Sequence, residues 1–365
     1  MNAKLSFENK LPKRLIIFIT DRCNLSCKHC FYAEDLNSAI GDLSANDIKL
    51  IMQNFPLPLD HVIITGGEPF LNKEVVDIVR EIRANSIAIP TNGSNSRIIV
   101  EKVKRILQEN KNFKKKISVS ISIDGPEDVH DKIRGRKGSF DSAMRTYYQL
   151  KELEQPWPNF STGLGATINS INFPYLKVMK DFIWNEIGGA FAFQLVRSVK
   201  HSNLPINIQV HTVLGDEEEA LREDFCNKIT TNVKDFYKIY WGNFLRSRKQ
   251  IKKTGIVRTI IGHVTAVSRF KACLKTVKHK KRTMDCIAGT DMGVVYSNLD
   301  VSFCEFMQPL GNLHDYNYDF KGIWNSQDAN RRREIVDKCY CTHTCFVCFK
   351  RYNIGRLTHF FQRNV

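Results

Sequence analysis

Six short runs of apolar, mostly β-branched residues recur through the first 200 positions, with helical patterns between them. The runs are Arg14 to Thr20, His61 to Thr65, Ser86 to Pro90, Ile117 to Ile123, Thr162 to Ile168 and Ala190 to Val196, each of strand length and strand composition. Val75, Val76, Ile78, Val79 and Ile82 trace one helical stripe, and Ile98, Ile99, Val103, Ile106 and Leu107 another; Ser44 and Ser139 are placed to cap two more helices. Strands joined through helices pair in parallel, and right-handed crossovers put every helix on one side of the sheet. A closed barrel takes about eight such units and roughly 250 residues. Six units therefore predict an α/β fold built on a partial (β/α)6 TIM-like barrel.

The rhythm stops after Val196. From Asp216 a long amphipathic helix is expected, with Leu221, Phe225, Ile229, Val233, Phe236 and Tyr240 three or four apart; Cys226 on it reads as an ordinary buried residue. The net charge of +16 is concentrated beyond it, because Arg246 to Arg282 holds thirteen Lys or Arg and no Asp or Glu. Such a block either attracts an anion or forms a solvated basic face. From Cys273 to Cys348 the chain is rich in cysteine, glycine and aromatics with little periodicity, as in segments that fold around metal. The expected division is 13–200 for the barrel, 201–272 for a helical and basic connection, and 273–365 for a small cysteine-rich unit.

The eleven cysteines crowd into two groups and follow no secretory signal, since MNAKLSFENKLPKR lacks an apolar core. Metal binding in a reducing, cytoplasmic compartment fits them better than disulfides. No stretch approaches the roughly 18 apolar residues of a membrane span. Directly after the first run comes Cys23-Asn-Leu-Ser-Cys27-Lys-His-Cys30, in a loop at a strand's C-terminal end, where parallel α/β folds collect their active sites. Three thiolates hold three irons of a [4Fe–4S] cube and leave the fourth open to a ligand. The competing assignment is zinc, which prefers four closed ligands in two pairs; His29 would have to be the fourth and is poorly placed beside Cys30.

The C-x3-C-x2-C loop, followed after the second run by Gly66-Gly67-Glu68-Pro69, resembles the radical S-adenosylmethionine (SAM) superfamily, with His29 at the signature's aromatic position. The resemblance implies a [4Fe–4S] cluster on Cys23, Cys27 and Cys30, and contact of Gly66, Gly67, Glu68 and Pro69 with the amino group of bound SAM. Glycines there let backbone approach the ligand, and Glu68 suits an ammonium. Ser120-Ile-Ser-Ile-Asp-Gly-Pro126 and Ile133-Arg-Gly-Arg-Lys-Gly-Ser-Phe140 are similar to the family's fourth strand and following loop. That similarity implies Ser122 at the cofactor's ribose and Arg134 on its carboxylate. Thr91-Asn92-Gly93 matches a common family turn.

Cys286-Ile-Ala-Gly289, Cys304-Glu-Phe, Gly311-Asn-Leu and Cys339-Tyr-Cys341-Thr-His-Thr-Cys345-Phe-Val-Cys348 resemble the SPASM and twitch domains, which hold auxiliary [4Fe–4S] clusters. This chain departs from their pattern in two places. Leu299 stands where a glycine is usual, and the last group is spaced C-x-C-x3-C-x2-C with no cysteine after Cys348. With Cys273, seven cysteines serve two clusters; without it, one twitch-like cluster is simpler. Zinc on Cys341, His343, Cys345 and Cys348 is the competing assignment. Glu305 and Tyr296 are candidate proton-transfer or hydrogen-donor groups, more safely regarded as structural.

The function the resemblance implies is reductive cleavage of SAM to a 5′-deoxyadenosyl radical, which takes a hydrogen atom from a substrate, with an electron supplied by a reductase or a flavodoxin- or ferredoxin-type donor. The first substrate expectation is a small polar metabolite such as an amino sugar or nucleoside, because the first strand begins near Arg14 and leaves no room for a leader-binding domain. The second is a ribosomally made peptide, with the basic segment gripping an acidic leader. A third reading is a non-catalytic basic metal protein on nucleic acid. Phe270 is the one aromatic residue from Arg246 to Arg282, which argues against a stacking platform for single strands.

Overall fold

The computed structural model describes residues 10–38, 41–112, 115–183, 187, 191–195, 272, 275–276, 279, 281–336 and 347–348. The helix expected from Asp216, Cys226, nearly all of the basic segment, and Cys273, Cys339, Cys341 and Cys345 lie outside these residues, as does the side chain of Cys348.

Strands β1 (Arg14–Phe18), β2 (His61–Thr65), β3 (Ser86–Thr91), β4 (Lys116–Ser122), β5 (Phe160–Ile168) and β6 (Phe191–Leu195) pair in parallel in chain order, so all six expected runs are strands. Helices α1 (Ala45–Gln53), α2 (Val75–Glu81), α3 (Ser96–Glu109), α4 (Glu127–Arg134), α5 (Ser139–Glu152) and α6 (Leu176–Phe182) fill the crossovers. One helix per crossover would make five; the β4–β5 crossover holds two, because the chain turns at Gly135 and Gly138, both at positive φ. This is the partial (β/α)6 barrel.

Along β4 and β5, buried and half-buried positions alternate. Ile117, Val119 and Ile121 belong to the core shared with the helices. On the opposite face Ser118, Ser120 and Ser122 lie beside Ser161, Gly163 and Gly165 of β5. That face is therefore small and hydroxyl-rich, whereas a sheet covered on both sides reads as continuous apolar runs. In β1, by contrast, Leu15 to Phe18 are all buried.

The reason lies beyond the barrel. Strand β7 (Asp285–Cys286) is followed by β8 (Met292–Val295), which pairs in parallel with β1, from Arg14 opposite Met292 to Ile17 opposite Val295. Strands β9 (Asp300–Ser302) and β10 (Gly311–Asn312) then add antiparallel, giving a nine-stranded sheet of order β10-β9-β8-β1-β2-β3-β4-β5-β6. Helices α7 (Phe320–Trp324) and α8 (Gln327–Val336) cover this extension. Trp324 lies so close to Gly293 of β8 that a Cβ there would stand 2.6 Å from its ring. Arg333 spreads over the rings of Phe303 and Trp324 and donates to the carbonyls of Gly289 and Trp324, each at 2.6 Å. Leu299 adopts φ 71° in the β8–β9 turn, the left-handed conformation for which glycine is the usual choice.

Ser44 caps α1 as its sequence predicts: its Oγ accepts the Asp47 N–H at 3.1 Å, and Asp47 accepts the Ser44 N–H at 2.8 Å. Ser44→Ala is expected to cost about 1 kcal/mol, read as a lower unfolding midpoint of the reconstituted protein; an unchanged midpoint would refute the cap's contribution. Ser139 is a correction. It lies inside α5, with Gly138 at the cap, and the carboxylate of Asp131 takes the capping role by accepting from the Gly138 and Phe140 N–H groups and from Ser139 Oγ.

Candidate active site

The loop after β1 is fixed from several sides. Asn37, at φ 56°, brackets Cys23: its Oδ1 accepts the Cys23 N–H at 3.1 Å and its Nδ2 donates to the Cys23 carbonyl at 3.2 Å. Arg22 pairs with Asp42 and donates to the Leu71 carbonyl at 2.8 Å. Lys28 N–H donates to the carbonyl of Ile133 at the end of α4. Cys23, Cys27 and Cys30 are each half-buried here. Burial first, and then the nearby charges of Glu68, Cys27 and Cys30, push the Cys23 thiol up to about 11 against a lowering backbone hydrogen bond. A bound metal centre reverses that preference, since coordination deprotonates a thiol. Among the described residues no three Cys, His, Asp or Glu side chains are grouped to hold one metal ion. A cube asks for less convergence than zinc, because each thiolate binds a different iron.

The loop after β2 fits against this one with no space to spare. Gly66 has φ 135°, and a Cβ on it would stand 2.2 Å from the Thr20 carbonyl oxygen; on Gly67 it would stand 2.2 Å from that of Arg22. The N–H groups of Gly67 and Glu68 donate to those same oxygens at 3.0 and 2.8 Å. Pro69 opens the short 3-10 turn Pro69–Leu71, and Glu68 caps it. The buried Glu68 carboxylate accepts from the Phe70 N–H at 3.1 Å, Thr91 Oγ1 at 2.8 Å and the Asn92 N–H at 2.8 Å. Burial raises its pKa against these bonds. The Thr91-Asn92-Gly93 turn thus holds the residue expected to meet an ammonium, a partnership that turn chemistry alone did not suggest.

Ser122 ends β4, half-buried on the hydroxyl-rich face. Arg134 ends α4 and is buried, with its Nη2 2.6 Å from Asp124 Oδ2 and its Nη1 3.6 Å from Cys27 Sγ. Burial works against the guanidinium's charge, but Asp124 and Cys27 outweigh it and raise the Arg134 pKa. Asp124 is fully buried; burial opposes its ionisation, and Arg134, His29 and His130 bring it below the usual carboxylate range. Burial lowers His29 and His130 each to about 4, leaving both imidazoles neutral at pH 7. Asp124 was not among the expected site residues, although a carboxylate directly after an apolar strand and before Gly-Pro was a visible signal.

The cysteine-bearing segments of the C-terminal region also meet. Strand β11 (Val347–Cys348) pairs antiparallel with β7, placing Val347 opposite Cys286 and Cys348 opposite Asp285. Cys304, Glu305 and Phe306 are buried just after β9. Aromatic contacts join this part to the first loop: Tyr296 packs on Phe18 at 4.9 Å and stacks with Tyr32 at 6.5 Å, and Phe306 meets Phe31 at 6.3 Å. Burial, followed by the charges of Glu305 and Cys304, raises the pKa of Tyr296 well above that of a free phenol.

Cys23, Cys27, Cys30, Gly66 to Pro69 and Arg134 therefore meet at one end of the barrel. Three neighbouring thiols, with a guanidinium nitrogen 3.6 Å from the sulfur of one of them, suit a cluster with an anionic ligand. Residues 17–171 match the radical SAM superfamily. The chain is 36% identical over 155 residues to the antilisterial bacteriocin subtilosin biosynthesis protein AlbA of Bacillus subtilis, covering 40% of this chain and 32% of that one. It is 29% identical over 333 residues to an AdoMet-dependent heme synthase of Nitratidesulfovibrio vulgaris, covering 88% and 82%. Against four curated relatives the chain spans only 32% to 45% of their length. The solved structure of native anSMEcpe with bound AdoMet shares the fold at 19% identity and TM-score 0.52, over 87% of this chain and 82% of that one. The matched span encloses all of these residues, so residues 17–171 form a domain of the radical SAM superfamily, which binds a [4Fe–4S] cluster and SAM.

Proposed function

We propose that this enzyme abstracts a hydrogen atom from a small polar metabolite, of the amino-sugar or nucleoside kind, with an auxiliary cluster assisting an oxidation. When bound, the cluster and SAM together supply the 5′-deoxyadenosyl radical that does this. Cys23, Cys27 and Cys30 hold the cluster, the Gly66-Gly67 backbone admits SAM, Glu68 and Arg134 face its charged ends, and Ser122 its ribose. The observation that carries the substrate class is the open face of β4 and β5, where serine, threonine and glycine line the surface from Ser118 to Ser122 and from Ser161 to Thr167. Such a surface offers hydrogen bonds to a polar ligand and little to an extended apolar one.

Cys286 and Cys304, with Cys339, Cys341, Cys345, Cys348 and Cys273, are the ligands proposed for one or two auxiliary [4Fe–4S] clusters; the β7–β11 pairing, which brings the segment that carries Cys348 alongside the one that carries Cys286, supports the grouping. A reductase or flavodoxin- or ferredoxin-type protein is the proposed electron donor. Among the described residues no helix is long and apolar enough to cross a membrane. A second reading, maturation of a ribosomally made peptide, is favoured by the likeness to AlbA and to the sporulation killing factor maturation protein SkfB of Bacillus subtilis, 32% identical over 193 residues.

The two are separated by incubating anaerobically reconstituted, reduced enzyme and SAM with deuterated amino sugars, nucleosides and acidic peptides. Deuterium arriving in 5′-deoxyadenosine from a polar metabolite is the expected result. Transfer from peptide alone would overturn the first reading in favour of the second.

A further inference from the structure

Asp124 is a buried carboxylate beside the site to which no role has yet been given. It stands two residues beyond the end of β4 and is 0% exposed. Its Oδ1 accepts the Thr167 N–H of β5 at 2.9 Å, its own N–H donates to His130 Nδ1 at 3.1 Å, and its Oδ2 lies 2.6 Å from Arg134 Nη2 and 3.9 Å from His29 Nε2. Arg134 is only 8% exposed, and its other terminal nitrogen lies 3.6 Å from Cys27 Sγ. The guanidinium is therefore clamped between a carboxylate that cannot move and a cluster ligand.

We propose that Asp124 is a positioning residue that holds the Arg134 guanidinium against the Cys27 sulfur and so sets how readily the cluster on Cys23, Cys27 and Cys30 accepts an electron. The proposal rests on the reading of those cysteines as cluster ligands. Hydrogen bonds and charges at cluster sulfurs set reduction potentials, and groups behind the ligands orient them. In the intact site the carboxylate balances most of the guanidinium's charge. Neutralising Asp124 leaves that positive charge uncompensated beside the thiolate, at a buried position where water screens it little. The added electron is then stabilised and the potential rises. Removing the guanidinium instead leaves the buried carboxylate's negative charge facing the centre, and the potential falls. An ion pair that merely held α4 to β4 would produce neither shift.

The test is a potentiometric titration of reconstituted enzyme followed by electron paramagnetic resonance, on the signal that Cys27→Ala removes. For Asp124→Asn, an isosteric change that keeps the bond to Thr167, iron per chain is expected to match wild type. At a fixed solution potential its reduced-to-oxidised ratio should rise about tenfold, equivalent to 59 mV for a one-electron couple. Arg134→Gln should move the ratio the opposite way, and carries the test if Asp124→Asn loads iron poorly. Asp124→Glu, which restores the charge, should return the ratio towards wild type. Full iron loading with an unshifted ratio in Asp124→Asn, or a shift of the same sign in Arg134→Gln, would overturn the proposal. Wild-type enzyme with no cluster signal that depends on Cys27 would instead overturn the ligand reading beneath it.

Discussion

Cys27→Ala leaves a folded protein that no longer cleaves SAM. The side chain is half-buried in a loop held by other contacts, namely the Asn37 bracket on Cys23, the Arg22–Asp42 pair and the Lys28 bond to Ile133, so alanine removes a ligand without removing the fold. Two thiolates cannot hold a cube that needs three, and about four irons per chain should be lost. Iron at the C-terminal cysteines should remain. Production of 5′-deoxyadenosine should fall below detection, a larger effect than any other single change in the site. Iron and sulfide counts on wild type and variant, with the nucleoside measured by mass spectrometry, decide the matter. An unchanged iron count would show that the three cysteines do not hold a cluster.

Gly66→Ala should be nearly as damaging, for a reason that involves no ligand. Its φ of 135° is close to glycine's private territory, at a cost of about 1–3 kcal/mol for a side chain. The new methyl would stand 2.2 Å from a carbonyl oxygen of Thr20, backbone that cannot swing aside, at an overpacking cost of about 1–3 kcal/mol. Relief comes only if the loops after β1 and β2 separate, which breaks the Gly67 and Glu68 hydrogen bonds that join them. Both the unfolding midpoint and SAM cleavage should drop steeply. Gly138→Ala is the control: φ is 77° but nothing lies within 4 Å of the added carbon, so about 1 kcal/mol of strain is expected with cleavage intact. Equal effects from the two substitutions would refute the steric account.

Much of this was readable in the chain because the information was local. Each β-branched run became a strand because such side chains suit a pleated surface, and the serine-rich spacing of Ser118, Ser120 and Ser122 fell on one face because successive residues point to opposite sides. Ser44 capped its helix because its partner Asp47 lies three residues away. What stayed hidden depended on partners in other elements of the fold. Ser139 lost its expected role to Asp131, a residue on the preceding helix. Glu68 found its donors at Thr91 and Asn92, and Asp124 its cation at Arg134, and no periodicity announces such meetings. Leu299 is intermediate: its departure from the usual glycine was visible, and the positive φ shows that the backbone kept the turn even though the residue changed.

The parallel pairing of β8 with β1 has a consequence for the order in which the molecule can be completed. Strand β1 waits for a neighbour made roughly 280 residues later, on the order of tens of seconds at ordinary translation speeds. Until then Leu15 to Phe18 form an apolar rim with open backbone groups, a ready template for another chain. A message cut short before Met292 would release a polypeptide carrying every residue of the SAM-binding end yet lacking the strand that seals it. Such a fragment should be sticky rather than active.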